Sequence, residues 1–324
     1  MTTSVDRARG LLPTAVARRM IEHATLAPSV HNTQPWRWRI SGGTIELYAD
    51  MSRRLPVEDP VGRNLVISCG AALHHLQVAA AALGWSPTVE RVAGTSDPRL
   101  LAVVSFERSG RTDEDALATL RRRRTDRRRF TSWPIPDERL RHLAAEAEER
   151  GCHAVPLLDE TARVRLSLLV ETARAAAAAD QARAAEQRQW VDRSDTDGVP
   201  SPLVPKDDDP LRNRFGPGSL EERFVELEAT DGIVVLGGTG DSPSAWLRTG
   251  EGLSALWLKA TEGDLSVVPL SQPIELEQVR SRLRREVLKG LLLPHLVVRI
   301  GWQAIGRSDL PVSPRRPVDD VLDT

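Results

Sequence analysis

The stretch Ala27-Pro28-Ser29-Val30-His31-Asn32-Thr33-Gln34-Pro35-Trp36 decides how this chain is read. Upstream of it, Val16, Met20, Ala24 and Ala27 recur at helical spacing, which predicts an amphipathic helix over 14–27. Pro28 disfavours the helical region for Ala27 and Pro35 does so for Gln34, so the segment between them is stiff and non-helical. Downstream, Trp36, Trp38 and Ile40 alternate with Arg37 and Arg39. Gly42-Gly43 then turns the chain, and Ile45, Leu47 and Ala49 alternate with Thr44, Glu46 and Tyr48, a β-hairpin pattern over 36–49. A capped helix-to-hairpin connection is the simple reading. The density of side-chain amides and hydroxyls favours a loop that holds a ligand.

Further along, the pattern predicts a helix over 64–83, a strand over 100–106 and a helix over 113–123, and then restarts. A helix over 137–150, a strand near 153–158 and a long Ala-rich helix over 160–190 follow. Residues 191–219 hold five prolines among aspartates and glycines, a composition that buries little apolar surface and reads as a loop, linker or lid. Strands over 232–236, 265–270 and 295–302 then alternate with helices over 244–262 and 274–289. Residues 69–76 align with 249–256 at a constant offset, sharing Gly70/Gly250, Leu73/Leu253 and Leu76/Leu256. This suggests two similar units, 1–112 and 113–324.

A second local feature is the arginine run Arg121, Arg122, Arg123, Arg124, Arg127, Arg128 and Arg129 around Thr125-Asp126. A nucleic-acid patch lacks aromatic interleaving here, and the formal net charge of the chain is -1. A solvated helix end is a second reading, since cations suit a helix C-terminus. A phosphate site is the best of the three, because guanidinium groups donate paired hydrogen bonds to phosphate and a hydroxyl such as Thr125 adds another.

Composition narrows the classes. The chain has 324 residues, 40% of them hydrophobic, and a mean hydropathy of -0.31, which fits a globular protein. No run of 18 apolar residues and no apolar leader is read at the start, so a cytoplasmic protein with neither membrane nor nucleic-acid partner is expected. Cys69 and Cys152 make neither a disulfide framework nor a zinc site and read as buried thiols. Gly237-Gly238-Thr239-Gly240-Asp241-Ser242 follows a strand but has Pro243 where G-x-G-x-x-G needs glycine, and it reads as a turn before a capped helix. His74 and His75 are adjacent, not at the i, i+4 spacing of a helical metal pair, and no metal site is expected.

The loop A-P-S-x-x-N-x-Q-P-W followed by a short hairpin resembles the flavin loop of the nitroreductase superfamily, whose members use FMN. The segment 123–127 is similar to that family's R-x-[ST]-x-[RK], and Trp133-Pro134-Ile135-Pro136-Asp137-Glu138-Arg139-Leu140 to its P-[IV]-P-x-E-x-L; one extra residue before Phe130 departs from the pattern. The resemblance implies an FMN site built from Pro28, Ser29, Val30, His31, Asn32 and Gln34 on the pyrimidine side. It adds Arg123, Thr125 and Arg127 at the phosphate and ribityl chain, joined by Arg315 and Arg316. Ser271 or Gln272 would contribute backbone N–H near flavin N5.

Arg7-Ala8-Arg9-Gly10-Leu11 lacks the arginine spacing, and Gly151-Cys152-His153-Ala154-Val155-Pro156 stands where a second P-S-x-x-N would fall. Each unit therefore keeps one half-site. The fold this implies is α+β and nitroreductase-like, duplicated and fused into an intrachain pseudo-dimer with a lid-like insertion over about 191–219. It most resembles the mycobacterial, dormancy-associated Acg group of the superfamily. The implied function is an oxidoreductase in which NAD(P)H reduces FMN and a nitro compound or quinone reoxidises it. The alternative is a lid-closed FMN storage protein with little turnover. A monomer with one FMN per chain is expected, and no catalytic residue is named.

Overall fold

The computed structural model describes residues 12–92, 97–127, 130–201, 231–303 and 312–323. Two four-stranded antiparallel sheets share one plan. In the first, α1 (Thr14–Ala24) leads to β1 (Trp36–Ser41), β2 (Thr44–Ala49), the long α2 (Arg63–Ala82), β3 (Leu83–Arg91) and β4 (Leu100–Thr112), in spatial order β1-β2-β4-β3. After α3 (Glu114–Arg122) the plan repeats. Helix α4 (Asp137–Glu148) precedes β5 (His153–Pro156), α5 (Glu160–Ala179), α6 (Gln181–Arg188), β6 (Gly232–Gly238) and α7 (Pro243–Glu262). Strand β7 (Leu265–Leu270), the short α8 (Gln272–Glu275) and α9 (Glu277–Arg282), and β8 (Leu293–Trp302) complete it, in order β5-β6-β8-β7. The offset of 180 between 69–76 and 249–256 holds over the whole of α2 and α7. The fold is α+β, in two similar halves.

The two sheets differ in what covers them, and the sequence pattern follows. On β1 the burial of Trp36 and Trp38 alternates with more open Arg37 and Arg39, as in a sheet with one dry face. All seven residues of β6 are buried, because α5, α8 and α9 cover its second face. That is why 232–238 reads as a continuous apolar run.

Between the sheets α2 packs on α7, and they touch where neither has a side chain. A Cβ on Gly70 would lie 2.1 Å from the Leu247 carbonyl oxygen, and one on Gly250 would lie 2.0 Å from that of Ile67. Gly70/Gly250 and Ile67/Leu247 are each 180 apart, the reciprocal contact of an isologous interface. One hydrophobic core runs from α1, β1 and β4 through both long helices to α4, β6 and β8. Helix α2 is apolar and long enough to cross a membrane by composition, but 83% of its most apolar window is buried in this core.

Along the seam the Ser254 hydroxyl lies 2.8 Å from His74 Nδ1 and 2.9 Å from His75 Nδ1, and the latter is 3.1 Å from the Ala71 carbonyl. Neutral rings satisfy this set: His75 Nδ1–H donates, and Ser254 donates to His74. Burial, then Arg150, pushes His74 down to about 3, and burial, then Arg123 and His74, pushes His75 well below its ordinary value. Groups depressed in the folded state stabilise above the unfolded value near 6.5, and that stability is lost as pH falls. At pH 5 His74 alone should forfeit about 2 kcal/mol. The loss measured by urea titration between pH 7 and pH 5 should therefore be smaller by about that much in His74→Gln than in the wild type; an equal loss in the two proteins would contradict a neutral His74 at the seam.

Several sequence expectations shift. Helix α1 ends at Ala24, not Ala27, because ahead of Pro28 the N–H groups of Leu26 and Ala27 turn to the i−3 carbonyls of His23 and Ala24. Strand β3 lies where the sequence pattern places no element; it holds Pro87 and is an edge strand, where proline is tolerated. Strand β4 runs on to Thr112 beside it. The expected helix over 160–190 breaks at Asp180, whose carboxylate caps α6 through Ala182 and Arg183 N–H. The expected helix over 274–289 is α8, α9 and a π-turn over Leu283–Val287. Cys69 and Cys152 are buried free thiols. Of the expected insertion, 202–219 lies outside the described residues, as do Arg128 and Arg129.

The end of the chain returns to the first half. Residues 318–321 form α10 (Val318–Val321), Leu322 bridges to Trp38, and Arg18 pairs with Asp319 at 2.6 Å.

Candidate functional site

The opening loop is strained and heavily tied. His31, Asn32 and Gln34 have φ of 45°, 54° and 48°, left-handed conformations that cost roughly 1–3 kcal/mol each for non-glycine residues. Local bonds hold them there. The Ser29 hydroxyl accepts from Gln34 N–H at 3.0 Å, and Ser68, on α2, accepts from Val30 N–H at 3.2 Å. Asn32 Nδ2 donates to the carbonyls of Gly198 (2.9 Å) and Pro314 (3.0 Å), and its Oδ1 accepts from Arg315 Nη1 at 3.0 Å. Gln34 donates to the Thr196 carbonyl and accepts from Arg316 N–H, both at 2.9 Å. Asp197 pairs with Arg53. The loop is thus the junction of the first half, the described start of the insertion and the returning C-terminal segment.

Where α1 ends, the Leu26 carbonyl has no helical partner. Two guanidiniums take it: Arg123 Nη2 at 2.9 Å and Arg315 Nη2 at 3.2 Å. Arg123 is 3% exposed, stacks 4.7 Å from the Trp257 ring centroid, and has no partner for Nε or Nη1. Arg315 Nε is also buried without a partner. Burial, then Arg315 and Arg124, pushes Arg123 well below its ordinary value, and burial with Arg124 pushes Arg315 down to about 10. Beside them is a cavity, open to solvent, with about 560 Å³ of empty space, walled also by Arg124, Arg127 and Thr125, and among the described residues no carboxylate lines it. Four converging arginines, two of them with orphaned donors, are the chemistry of an anion site, and a phosphate fits it.

A second cavity of about 590 Å³ shares Pro28, Ser29, Thr125 and Arg127 with the first. Its walls are more apolar: Ile67 from α2, Leu253 and Trp257 from α7, and Leu296, with Asn64, Ser68 and His31 as polar neighbours. Pro269 and Ser271 close it at the turn after β7. The two form one cleft, basic at one end and apolar at the other, drawn from both halves.

Of the residues picked out in sequence, Pro28, Ser29, Val30, His31, Asn32, Arg123, Thr125, Arg127, Ser271 and Arg315 line this cleft. Gln34, Gln272 and Arg316 do not. Gln34 is spent on Thr196 and Arg316. Arg316 donates to the Asp320 carbonyl at 2.6 Å and belongs to the C-terminal clasp. Gln272 is buried behind Ser271, with its Oε1 unpartnered. Sequence reading missed Ile67, Leu253 and Trp257, whose helical spacing is indistinguishable from core, and Arg124, which stood in view within the arginine run.

The pseudo-dyad mates of these positions carry different chemistry. Gln77, mate of Trp257, donates to Glu251 at 2.8 Å, and Arg91 pairs with the same buried carboxylate at 2.7 Å. An internal ion pair stands where the cleft has an aromatic wall.

Two similar α+β halves packed about one core, with a cleft at their junction, define a nitroreductase-like fold. A Mycobacterium tuberculosis protein named "Putative NAD(P)H nitroreductase" is 36% identical over 315 residues, covering 94% of this chain and 90% of its own length. The Acg protein of the same organism, named likewise, is 29% identical over 327 residues, 96% of each chain. Among solved structures, a "putative nitroreductase" from Anabaena variabilis superposes with a TM-score of 0.51 at 10% identity, covering 81% of this chain and 69% of that one. No family model matches the chain. It belongs to the NAD(P)H nitroreductase family.

Proposed function

We propose that the cleft holds one FMN per chain and that the protein is an NAD(P)H-dependent oxidoreductase acting on nitro compounds or quinones. The observation that carries the reading is the like-charged pair of buried Arg123 and half-buried Arg315, each with a buried, orphaned donor, at one end of an apolar cleft. Buried charge without a counter-ion is costly, and a phosphate there supplies the missing partner. Arg123, Arg315, Arg127 and Thr125 would take the phosphate and ribityl chain, while Ile67, Leu253 and Trp257 would flank the ring and keep water from it. When bound, FMN supplies the hydride-accepting and electron-donating centre. The pairing of 1–112 with 113–324 in one chain accounts for a single site, since each half contributes wall residues that its mate lacks.

A second reading, FMN storage, is favoured by one observation: Asn32 and Gln34 hold the start of the insertion, through the Gly198 and Thr196 carbonyls, against the loop. The visible spectrum before and after anaerobic NADPH separates the two. Yellow protein that bleaches is the enzyme, yellow protein that does not is the store, and a protein that binds no flavin refutes both. Sedimentation should give a monomer with one FMN per chain; two flavins per chain would overturn the single-site assignment.

A further inference from the structure

His31 is the only titratable side chain of the loop 27–36, and it lines the apolar part of the cleft with Asn64 and Ser271. Its Nε2 lies 2.8 Å from both carboxylate oxygens of Glu58, so Nε2–H is the donor of that pair. Both residues are buried. Gln187, on α6, donates to Glu58 at 3.3 Å. Arg183, on the same helix, pairs with the buried Glu275 of α8. Glu275 in turn accepts from Asn64 Nδ2 at 3.3 Å and from the Ser271 hydroxyl. One buried ionic cluster therefore reaches the cleft at His31, Asn64 and Ser271.

The charges of this cluster require a proton. Arg183 pairs with Glu275 and acts on Glu58 through its charge, so two carboxylates face one guanidinium and electroneutrality needs at least one more proton, on the imidazole or on a carboxylate. Burial, then the charge of Glu58, raises the Glu275 carboxyl. Burial would raise Glu58 as well, but His31, followed by Arg183 and Gln187, holds it below the ordinary carboxylate value. Glu186, a further buried carboxylate, accepts from the Val57 and Glu58 N–H groups and adds to the negative charge; Asp59 accepts from Leu65 N–H, and Arg63 pairs with Asp241. Arg127 is the other cation on this part of the cleft wall.

We infer that His31 donates the proton that accompanies hydride transfer to the acceptor, with Glu58 and, through Arg183, Glu275 as positioning residues. The inference rests on the oxidoreductase reading above. A quinone takes a hydride, two electrons and one proton, to give the hydroquinone monoanion; that anion takes a proton from the His31 imidazolium, and the ring is reprotonated from water. NAD(P)H is the reductant and leaves as NAD(P)⁺. Hydride departure from NAD(P)H requires no such donor, so the dependence on His31 belongs to the second half of the reaction.

The test compares two acceptors on NADPH-reduced protein in anaerobic stopped flow: a quinone, which takes a proton, and ferricyanide, which takes electrons alone. His31→Gln should lower the ratio of quinone to ferricyanide rates about tenfold or more, and Glu58→Gln should lower it in the same direction. Equal slowing with both acceptors, or no slowing, overturns the proposal. A readout independent of turnover is NMR of the His31 ring in the flavin-free chain. It should carry both ring protons at pH 7 and lose one in Glu58→Gln, whereas a neutral ring in the wild type overturns the assignment. If His31→Gln does not retain FMN, that NMR measurement decides alone. Failure of the wild type to bind FMN would instead refute the flavin reading.

Discussion

Arg123→Met should weaken FMN binding about ten- to hundredfold while leaving the flavin-free protein as stable as the wild type or more so. The first half of this expectation comes from losing a charge-assisted contact, roughly 1.5–3 kcal/mol, where tenfold is about 1.4 kcal/mol. The second half comes from what surrounds Arg123 when no anion is present. Its guanidinium is 3% exposed, two of its nitrogens have no partner, and its charged neighbours Arg315 and Arg124 repel it. Replacing such a buried charge by an apolar side chain of similar length is neutral or stabilising by about 1–4 kcal/mol. The Leu26 carbonyl is not orphaned, because Arg315 still donates to it. Flavin fluorescence titration and urea denaturation of the flavin-free protein measure the two signs. A variant that loses stability without flavin and keeps its affinity would show that Arg123 is structural.

Gly250→Ala should destabilise the protein by at least about 3 kcal/mol and abolish stoichiometric flavin binding. The added Cβ would meet the Ile67 carbonyl oxygen at 2.0 Å and Gly70 Cα at 2.8 Å, all backbone of the facing helix, so no side chain can swing aside. Relief requires α2 and α7 to separate by more than about 1 Å, since carbon contacts need about 3.5 Å. That separation moves Ile67 away from Leu253 and Trp257, the two sides of the cleft. Gly240→Ala is the control: nothing lies within 4 Å of its Cβ, and a change within about 0.5 kcal/mol is expected. Similar urea midpoints for the two variants would mean that the crossing is not a close backbone contact.

What could be read in the sequence was whatever local chemistry announces. Two prolines bracket Ser29, His31, Asn32 and Gln34, so the loop is legible as stiff and polar. Arg123, Thr125 and Arg127 sit at close spacing, and Ser271 lies just past a strand. Trp257 was not legible, because an aromatic at helical spacing reads as core until its pseudo-dyad mate proves to be Gln77. Nor was Glu58, whose pairing with His31 spans 27 residues and leaves no periodic mark. Gln34 and Asn32 were picked out as ligand contacts for their amides. Asn32 does line the cleft, but both amides are engaged by chain segments more than 160 residues away.

The sequence by itself determined the repeat, the stiff polar loop, the arginine run and the glycines of the long helices, because each is a property of neighbours along the chain or of a constant offset. Only the tertiary structure decided which of these meet. The Gly70–Gly250 crossing brings the two halves close enough for one core, and in doing so it sets the loop of the first half against the arginines that follow it. It also brings buried Arg123 and half-buried Arg315 together where, among the described residues, no carboxylate follows them. An unbalanced charge is invisible in a sequence whose totals nearly cancel; it arises when folding removes water from one group and its counter-charges lie elsewhere.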